Sequence, residues 1–405
     1  MGKITIRAAS ANNLKNVSAD IEFGRFTALA GPSGSGKSSL ALDVLHAAAL
    51  GRKVEASVGG LPELTVAITQ KIASPSARLA ELAAKTRALP QHCLVIADEP
   101  CAGLTAAEAS AVAARLSALA AQGHAVVAVD HRLELLAEAD RVLAFGPGAG
   151  ADGGQIVGDT SGAAYVKTLR LPEVQRVPNA GKHKLSAGFK DFQSISGYEF
   201  SFPLHQICAI TGPMGSGKST VLAAALAVCD KSVGAGERRR GLAWQKGKEH
   251  IRRPHFVSSE PVAARNPRST VATYFGAQAF AKNLPQALTV AEALAHPDAS
   301  RLLTRRLAWL DKVGLAYLRL SQPAHTLSGG ECQRVKLAKM LTKKLGDRSV
   351  YIFDNPCRGL GLANIDRIMM AFDSLVKHNN TVLIAENDPT ALLYADSQQA
   401  PPAKR

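Results

Sequence analysis

The sequence predicts an α/β protein of two tandem P-loop domains, each a parallel sheet carrying a phosphate-binding loop. Three observations carry this prediction: the length of the chain, a glycine-rich loop that occurs twice, and an apolar strand ending in aspartate that also occurs twice. At 405 residues the chain exceeds the roughly 100–200 residues of one ordinary domain, so two separate cores are expected. Its 46% hydrophobic and 20% charged residues sit near globular averages, which excludes extensive disorder. No uninterrupted apolar run approaches the roughly 18 residues of a membrane helix, so no membrane partner is expected. The opening Met-Gly-Lys-Ile-Thr-Ile-Arg reads as a strand without a leader's apolar stretch, and a cytoplasmic location follows as an expectation. Cysteines at 93, 101, 208, 229, 332 and 357 never take CxxC spacing, so no zinc is expected. The net charge of +15 suits a polyanionic partner but identifies none.

Phe26–Ala30 has the composition of a buried strand, and Gly31-Pro-Ser-Gly-Ser-Gly-Lys37-Ser38 follows it directly, with a helical run from Ser39 to Leu50 behind. The same order returns 181 residues later: Ile207–Thr211, then Gly212-Pro-Met-Gly-Ser-Gly-Lys218-Ser219, then a helical run from Thr220 to Cys229. A strand, GxxxxGK[ST] and a helix in succession form a phosphate cradle, because the glycines let consecutive backbone N–H groups face phosphate oxygens at a positive helix end. Gly31, Ser33, Gly34, Gly36, Lys37, Ser38 and Ser39 form the first loop. Gly212, Gly215, Gly217, Lys218, Ser219 and Thr220 form the second. The lysines are expected to reach the β and γ phosphates of a bound nucleotide, and Ser38 and Ser219 to ligate Mg²⁺.

Further along, Leu94-Val-Ile-Ala-Asp98-Glu99-Pro100-Cys-Ala-Gly-Leu aligns with Tyr351-Ile-Phe-Asp354-Asn355-Pro356-Cys-Arg-Gly-Leu at an offset of 256. A carboxylate at the C-terminal end of a parallel strand emerges over the phosphates, so Asp98 and Asp354 join Ser38 and Ser219 as metal ligands. Glu99 can take a proton from the attacking water; the Asn355 amide cannot. The same offset carries His131 onto Asn387 and Ala139-Asp140 onto Ala395-Asp396. Helices are expected over Ser76 to Ala88 and Ala106 to Ala121. The expected domains are residues 1–160, a basic linker over 161–190 (Lys167, Arg170, Arg176, Lys182, Lys184 and Lys190), a second domain over 191–396 with a helical insert near 275–345, and a disordered tail over 397–405.

Ahead of the second acidic strand stands Leu327-Ser328-Gly329-Gly330-Glu331-Cys-Gln333-Arg334. With both phosphate loops, this segment resembles the ATP-binding cassette (ABC) superfamily. Asn13-Leu-Lys-Asn-Val17, Gly314-Leu-Ala-Tyr-Leu-Arg319, Gln333-Arg-Val-Lys-Leu-Ala338 and Gly146-Pro-Gly-Ala-Gly150 make the chain similar to the UvrA family of damage-recognition ATPases. The resemblance covers most of the chain. Members of that family carry zinc modules and inserted DNA-binding domains, where this sequence has short connections. From Lys37 to Asp98 there are 61 residues, against 136 from Lys218 to Asp354, so the first cassette lacks most of its helical subdomain and its signature motif.

In this superfamily each nucleotide lies between the phosphate loop of one cassette and the signature of the other. The resemblance therefore implies one complete composite site: Lys37, Ser38, Gln70, Asp98, Glu99 and His131 from the first cassette, with Ser328, Gly329 and Gly330 from the second. There Glu99, His131 and Gln70 are the catalytic set. The opposite site keeps Lys218, Ser219 and Asp354 but has Asn355, Asn387, and Ser259 or Glu260 in place of the family's glutamate, histidine and glutamine.

The implied function is a one-site ATPase coupled to DNA in damage recognition or nucleotide excision repair, with an excision-repair protein as partner and a homodimer among the expected states. The alternative is a nucleotide-gated DNA- or protein-binding regulatory module without turnover. A transporter ATPase is disfavoured by the UvrA-like signature segment. Eight basic residues between Lys231 and His255, against Glu237 and Glu249, form a candidate DNA-phosphate patch. The 5% aromatic content disfavours reading of single-stranded bases, so any DNA contact should ignore sequence.

Overall fold

A computed structural model describes residues 2–69, 75–174, 183–192, 195–213, 215–229, 242–246, 250–257, 269–275, 285, 287–327, 329–342 and 347–401. They form two compact units: Met1–Leu171 with Gly359–Ala363, and Pro172–Arg358 with Asn364–Arg405.

In the first unit, β3 (Phe26–Ala30), β5 (Thr65–Ile68), β6 (Leu94–Asp98), β7 (Ala125–Val129), β8 (Arg141–Gly146) and β9 (Gln155–Thr160) form one sheet in the order β5-β6-β7-β3-β8-β9. All neighbours are parallel except β9, which pairs antiparallel with β8 at the edge. Every residue of β3, β6 and β7 is buried. Unbroken apolar runs are what a parallel sheet covered on both faces requires.

The helix Ala106–Ala121 lies where the sequence expects it. Thr105 and Glu108 close a capping box at its start, and Val112, Ala113, Leu116, Leu119 and Ala120 bury one face, the spacing of an amphipathic helix. The helix after the first phosphate loop occupies the expected stretch but winds wider, with π-type turns over Ser39–His46 before Ala47–Ala49. Its buried residues Leu40, Ala41, Val44 and Leu45 recur every four positions, which wider turns bring onto one face. They pack with Ile4, Ile6, Val17 and Ile21, from an antiparallel sheet of β2 (Val17–Glu22), β1 (Lys3–Ala9) and β4 (Ser57–Gly59).

The second unit repeats the plan. β12 (Ile207–Ile210), β14 (Arg253–Val257), β15 (Ser349–Asp354), β16 (Thr381–Ala385) and β17 (Ser397–Gln399) form a parallel sheet in the order β14-β15-β16-β12-β17. Strand for strand this is the order β5-β6-β7-β3-β8. A second antiparallel sheet joins β11 (Ile195–Pro203), β10 (Lys184–Phe192) and β13 (Leu242–Lys246). Phe200, Phe202 and Leu185 from it pack in one core with Val221, Leu222 and Ala225 of the helix Lys218–Cys229. Within the expected insert, the helices Val290–Ala295, Arg301–Lys312 and Gly329–Leu341 are described.

Three stretches differ from the sequence expectation. Past Thr160, Ser161 caps a helix over Gly162–Thr168, whose first amide bonds the Ala139 carbonyl; the first unit runs on to Leu171. The expected linker also contains the start of β10, which pairs along its length with β11; Arg176 and Lys182 lie outside the described residues. The expected disordered tail begins instead with β17, hydrogen-bonded to β12. The helix Gly162–Thr168 and β17 gain their order from a distant helix end and strand edge, which local sequence does not encode; β10 pairs in a hairpin with β11, the strand that follows it in the chain.

Candidate functional site

In both units the chemistry collects at the carboxyl ends of the parallel strands, where an open α/β sheet places its ligand crevice. β3 runs into the loop Gly31–Ser38, β6 ends at Asp98-Glu99, and β7 leads to Asp130-His131. Asp98 pairs in register with Val129, so Glu99 and His131 leave neighbouring strands at the same edge. β5 leads toward Gln70, which lies outside the described residues.

The first loop is tightly built. Lys37 is buried, and its Nζ donates to the carbonyls of Gly31 at 2.9 Å and Pro32 at 2.7 Å. Ser38 Oγ donates to Asp98 Oδ1 at 3.1 Å, joining the two metal-ligand candidates. The crown is braced from two sides. Asn13 Nδ2 donates to the Gly34 carbonyl at 2.8 Å, the Gly150 amide bonds the same carbonyl at 2.9 Å, and the Gly154 amide bonds that of Ser35 at 3.0 Å. Two segments quoted above only for their family resemblance, Asn13–Val17 and Gly146–Gly150, thus supply braces to the phosphate loop. At the strand's other end, Asp140 Oδ2 accepts the Phe26 amide at 2.8 Å.

The second site repeats this geometry with different side chains. Lys218 Nζ donates to the carbonyls of Gly212 at 2.5 Å and Pro213 at 3.1 Å. Ser219 Oγ lies 3.2 and 3.1 Å from the two carboxylate oxygens of Asp354, and Asp396 accepts the Ile207 amide at 2.7 Å. A serine hydroxyl beside one carboxylate is an oxygen donor pair suited to Mg²⁺, which keeps its other positions for water and phosphate. Both sites fit that ion. Asn355 adopts the left-handed conformation of Glu99, with φ of 49° at each. Its Nδ2 donates to Asp354 Oδ1 at 2.9 Å, and Asn387 Oδ1 accepts the Gly212 amide at 3.1 Å. Both asparagines therefore bond within the second site's own loops.

The signature region belongs to the second unit. Ser328 lies outside the described residues, as do Ser259, Glu260 and most of the basic cluster between Lys231 and His255. Gly329 and Gly330 open the helix Gly329–Leu341. Residues further along it, overlooked by the sequence reading, anchor it. Gln333 Nε2 donates to the Asp354 carbonyl at 3.2 Å, and Tyr317 Oη donates to Glu331 Oε1 at 2.5 Å. The fully buried Arg334 bonds the carbonyls of Val313 and Gly314. Their signal was present in the segments Gly314–Arg319 and Gln333–Ala338, but not which residues pair.

Two buried acids were also overlooked. Asp130 and Glu386 stand at the 256 offset, each accepting three backbone amides around the strand ends. Burial, with Asp388 adding to it, pushes the Glu386 carboxyl up to about 7. Burial also pushes the Cys101 and Cys357 thiols well up, with Asp130 and Glu386 as the next causes. These cysteines are packed thiols rather than nucleophiles.

A family model described as ABC transporter matches residues 195–358. UvrABC system protein A of Micrococcus luteus is 28% identical over 395 residues, covering 75% of this chain and 39% of the relative. The Mycobacterium leprae protein of the same name is 29% identical over 394 residues, covering 75% and 40%. The chain thus spans about two fifths of the length of these curated relatives. Among solved structures, UvrA2 from Deinococcus radiodurans matches with a TM-score of 0.71 and 26% identity over 81% of this chain and 50% of that one. Ribosome-bound archaeal Pelota and ABCE1 matches at a TM-score of 0.59 and 16% identity, over 99% and 79%, a likeness of fold alone.

Proposed function

Because the chain is a UvrA-like ABC ATPase, we propose that it hydrolyses ATP at one composite site and couples the nucleotide cycle to DNA in damage recognition or nucleotide excision repair. The observation that supports this best is the contrast between two equivalent strand ends. Glu99 and His131 follow β6 and β7, while Asn355 and Asn387 stand in their places and bond within their own loops.

In this reading Lys37 leaves the Gly31 and Pro32 carbonyls for the β and γ phosphates, and Ser38 and Asp98 hold Mg²⁺. The ion supplies positive charge against the phosphate oxygens. Glu99 takes the proton of the attacking water, His131 holds the γ-phosphate, and Gln70 orders the water. Ser328, Gly329 and Gly330 complete the site, from the same chain or a second copy. The second site, with Lys218, Ser219 and Asp354, binds nucleotide without turning it over.

DNA is the proposed polyanion for the +15 charge, bound without sequence preference. An excision-repair protein is the proposed partner, since the relatives are named as parts of a UvrABC system. Among the described residues no helix is long and apolar enough to cross a membrane. A non-hydrolytic, nucleotide-gated module is the second reading, motivated by the short connections where the family resemblance implies zinc modules and inserted domains.

Phosphate release under saturating Mg-ATP separates the two readings. Hydrolysis predicts turnover that Lys37→Ala abolishes and Lys218→Ala lowers only in part; no turnover by the wild type selects the binding module. Duplex DNA titrated with ATP present should bind at low salt and weaken as salt rises. Absence of binding to intact and damaged duplex at low salt removes the repair reading.

A further inference from the structure

The two repeats share a buried acid that none of the chemistry above uses. In the first unit Asp130 is 3% exposed. Its Oδ2 accepts the Cys101 amide at 2.9 Å, and its Oδ1 accepts the amides of His131 at 2.7 Å and Arg132 at 3.0 Å. The carboxylate thus bridges the turn that carries Glu99 and the loop that carries His131. Two further bonds draw the same segments together: the Glu99 amide to the Val129 carbonyl at 2.7 Å, and Arg132 Nη1 to the Leu104 carbonyl at 2.8 Å.

The second unit keeps the bridge although its catalytic residues are gone. Glu386 Oε2 accepts the Cys357 amide at 3.0 Å, and Oε1 accepts those of Asn387 at 2.8 Å and Asp388 at 3.1 Å. The Asn355 amide bonds the Ala385 carbonyl at 2.9 Å. One acid is an aspartate and the other a glutamate, so the shared feature is the pair of acceptor oxygens rather than the side-chain length.

We propose that Asp130 is a positioning residue: by bonding Cys101, His131 and Arg132 at once, it fixes the spacing between Glu99 and His131 that ATP hydrolysis needs. The proposal rests on the hydrolytic reading for its rate effect, but not for its structural one. Asp130 acts through the backbone amides on either side, and its carboxylate also faces the buried Cys101 thiol. An amide side chain of the same size cannot accept at both ends. Whichever way an asparagine is flipped, either Cys101 or the His131–Arg132 pair loses its acceptor.

The test compares wild type, Asp130→Asn and Asp130→Glu in the full chain. Asp130→Asn should lower kcat about ten- to a hundred-fold, the rate equivalent of one buried hydrogen bond left unmade. Affinity for a non-hydrolysable ATP analogue should stay within about three-fold. Asp130→Glu, the residue the other repeat uses, should recover most of the rate. Equal losses in both variants, or an unchanged kcat in Asp130→Asn, overturn the proposal.

Amide hydrogen exchange supplies a readout independent of turnover. In Asp130→Asn, protection should fall together in peptides covering 99–104 and 130–134. If the wild type hydrolyses no ATP, the hydrolytic reading fails and exchange alone decides: unchanged protection at Cys101 and His131 then refutes the bridge, and a joint loss upholds it.

Discussion

Replacing Gly31 or Gly212 by alanine sets one motif position in two environments against itself. Both glycines have φ values closed to side chains, 131° and 147°, so both variants carry a backbone strain of about 2 kcal/mol. The surroundings differ. A Cβ on Gly31 would overlap the Phe145 carbonyl oxygen and lie 3.0 Å from its carbon and 3.1 Å from the Phe145 nitrogen. These are backbone atoms of β8, hydrogen-bonded to β3 and β9 and unable to yield. A Cβ on Gly212 would meet the Ser216 hydroxyl at 3.0 Å and Pro401 Cδ at 3.5 Å, and the hydroxyl can rotate aside. Overpacking against a fixed strand adds about 2 kcal/mol, giving about 4 kcal/mol for Gly31→Ala and about 2 for Gly212→Ala. Urea unfolding followed by circular dichroism measures both. Fluorescence of the two tryptophans, Trp244 and Trp309, reports the second unit alone. The strain is common to both variants, so their difference isolates the collision with β8. A loss in Gly31→Ala no larger than in Gly212→Ala refutes the reasoning.

Other expected outcomes follow from the same geometry. Glu99→Gln should lower kcat by about 10²–10⁴-fold with ATP affinity nearly unchanged, and Asn355→Glu should create no second activity; phosphate release and nucleotide titration check both, and an active Glu99→Gln enzyme contradicts the assignment. Arg334→Ala removes a fully buried guanidinium from the Val313 and Gly314 carbonyls and should cost the second unit about 3–5 kcal/mol in urea unfolding. Arg334→Lys should recover little, because one ammonium does not reproduce the guanidinium's fork of donors.

The Glu386 carboxyl, raised from 4.5 to about 7 by burial and then by Asp388, contributes stability that is complete below about pH 4.5 and lost as pH rises through about 7. At about 1.4 kcal/mol per unit this amounts to roughly 3 kcal/mol. Urea midpoints at pH 5 and pH 8 should therefore fall with pH in the wild type relative to Glu386→Gln, and parallel profiles exclude this titration.

The asymmetry between the repeats was readable where a role depends on residue type within a short motif. Glu99 against Asn355 and His131 against Asn387 are differences of one letter at a fixed offset. What those asparagines do instead was not readable. The bond from the Gly212 amide to Asn387 spans 175 residues, and no periodicity reports such a pairing. The offset that aligned His131 with Asn387 also aligned Asp130 with Glu386, but an acid beside a histidine carries no signal of burial until the turn after β6 is folded against it. The edge strand Ser397–Gln399 was missed for a related reason. Three polar residues have no strand pattern of their own, and only the open edge of β12 orders them.

Legible in the chain alone are the doubled parallel-sheet plan, the two phosphate loops, the acidic strand ends, and asparagines in the second repeat at the positions where the first has Glu99 and His131. These follow from chain-local causes: glycines that permit a tight loop, apolar runs long enough for a buried strand, and side chains that can or cannot accept a proton. The tertiary structure alone decided how those pieces are held. Asn13 and Gly150 reach Gly34, Gln333 reaches Asp354, and Asp130 ties Cys101 to His131. Apart from the contact of Asp130 with the adjoining His131 amide, each of these bonds joins backbone to a distant segment, so its existence depends on where the chain returns and not on which residues stand beside it in sequence.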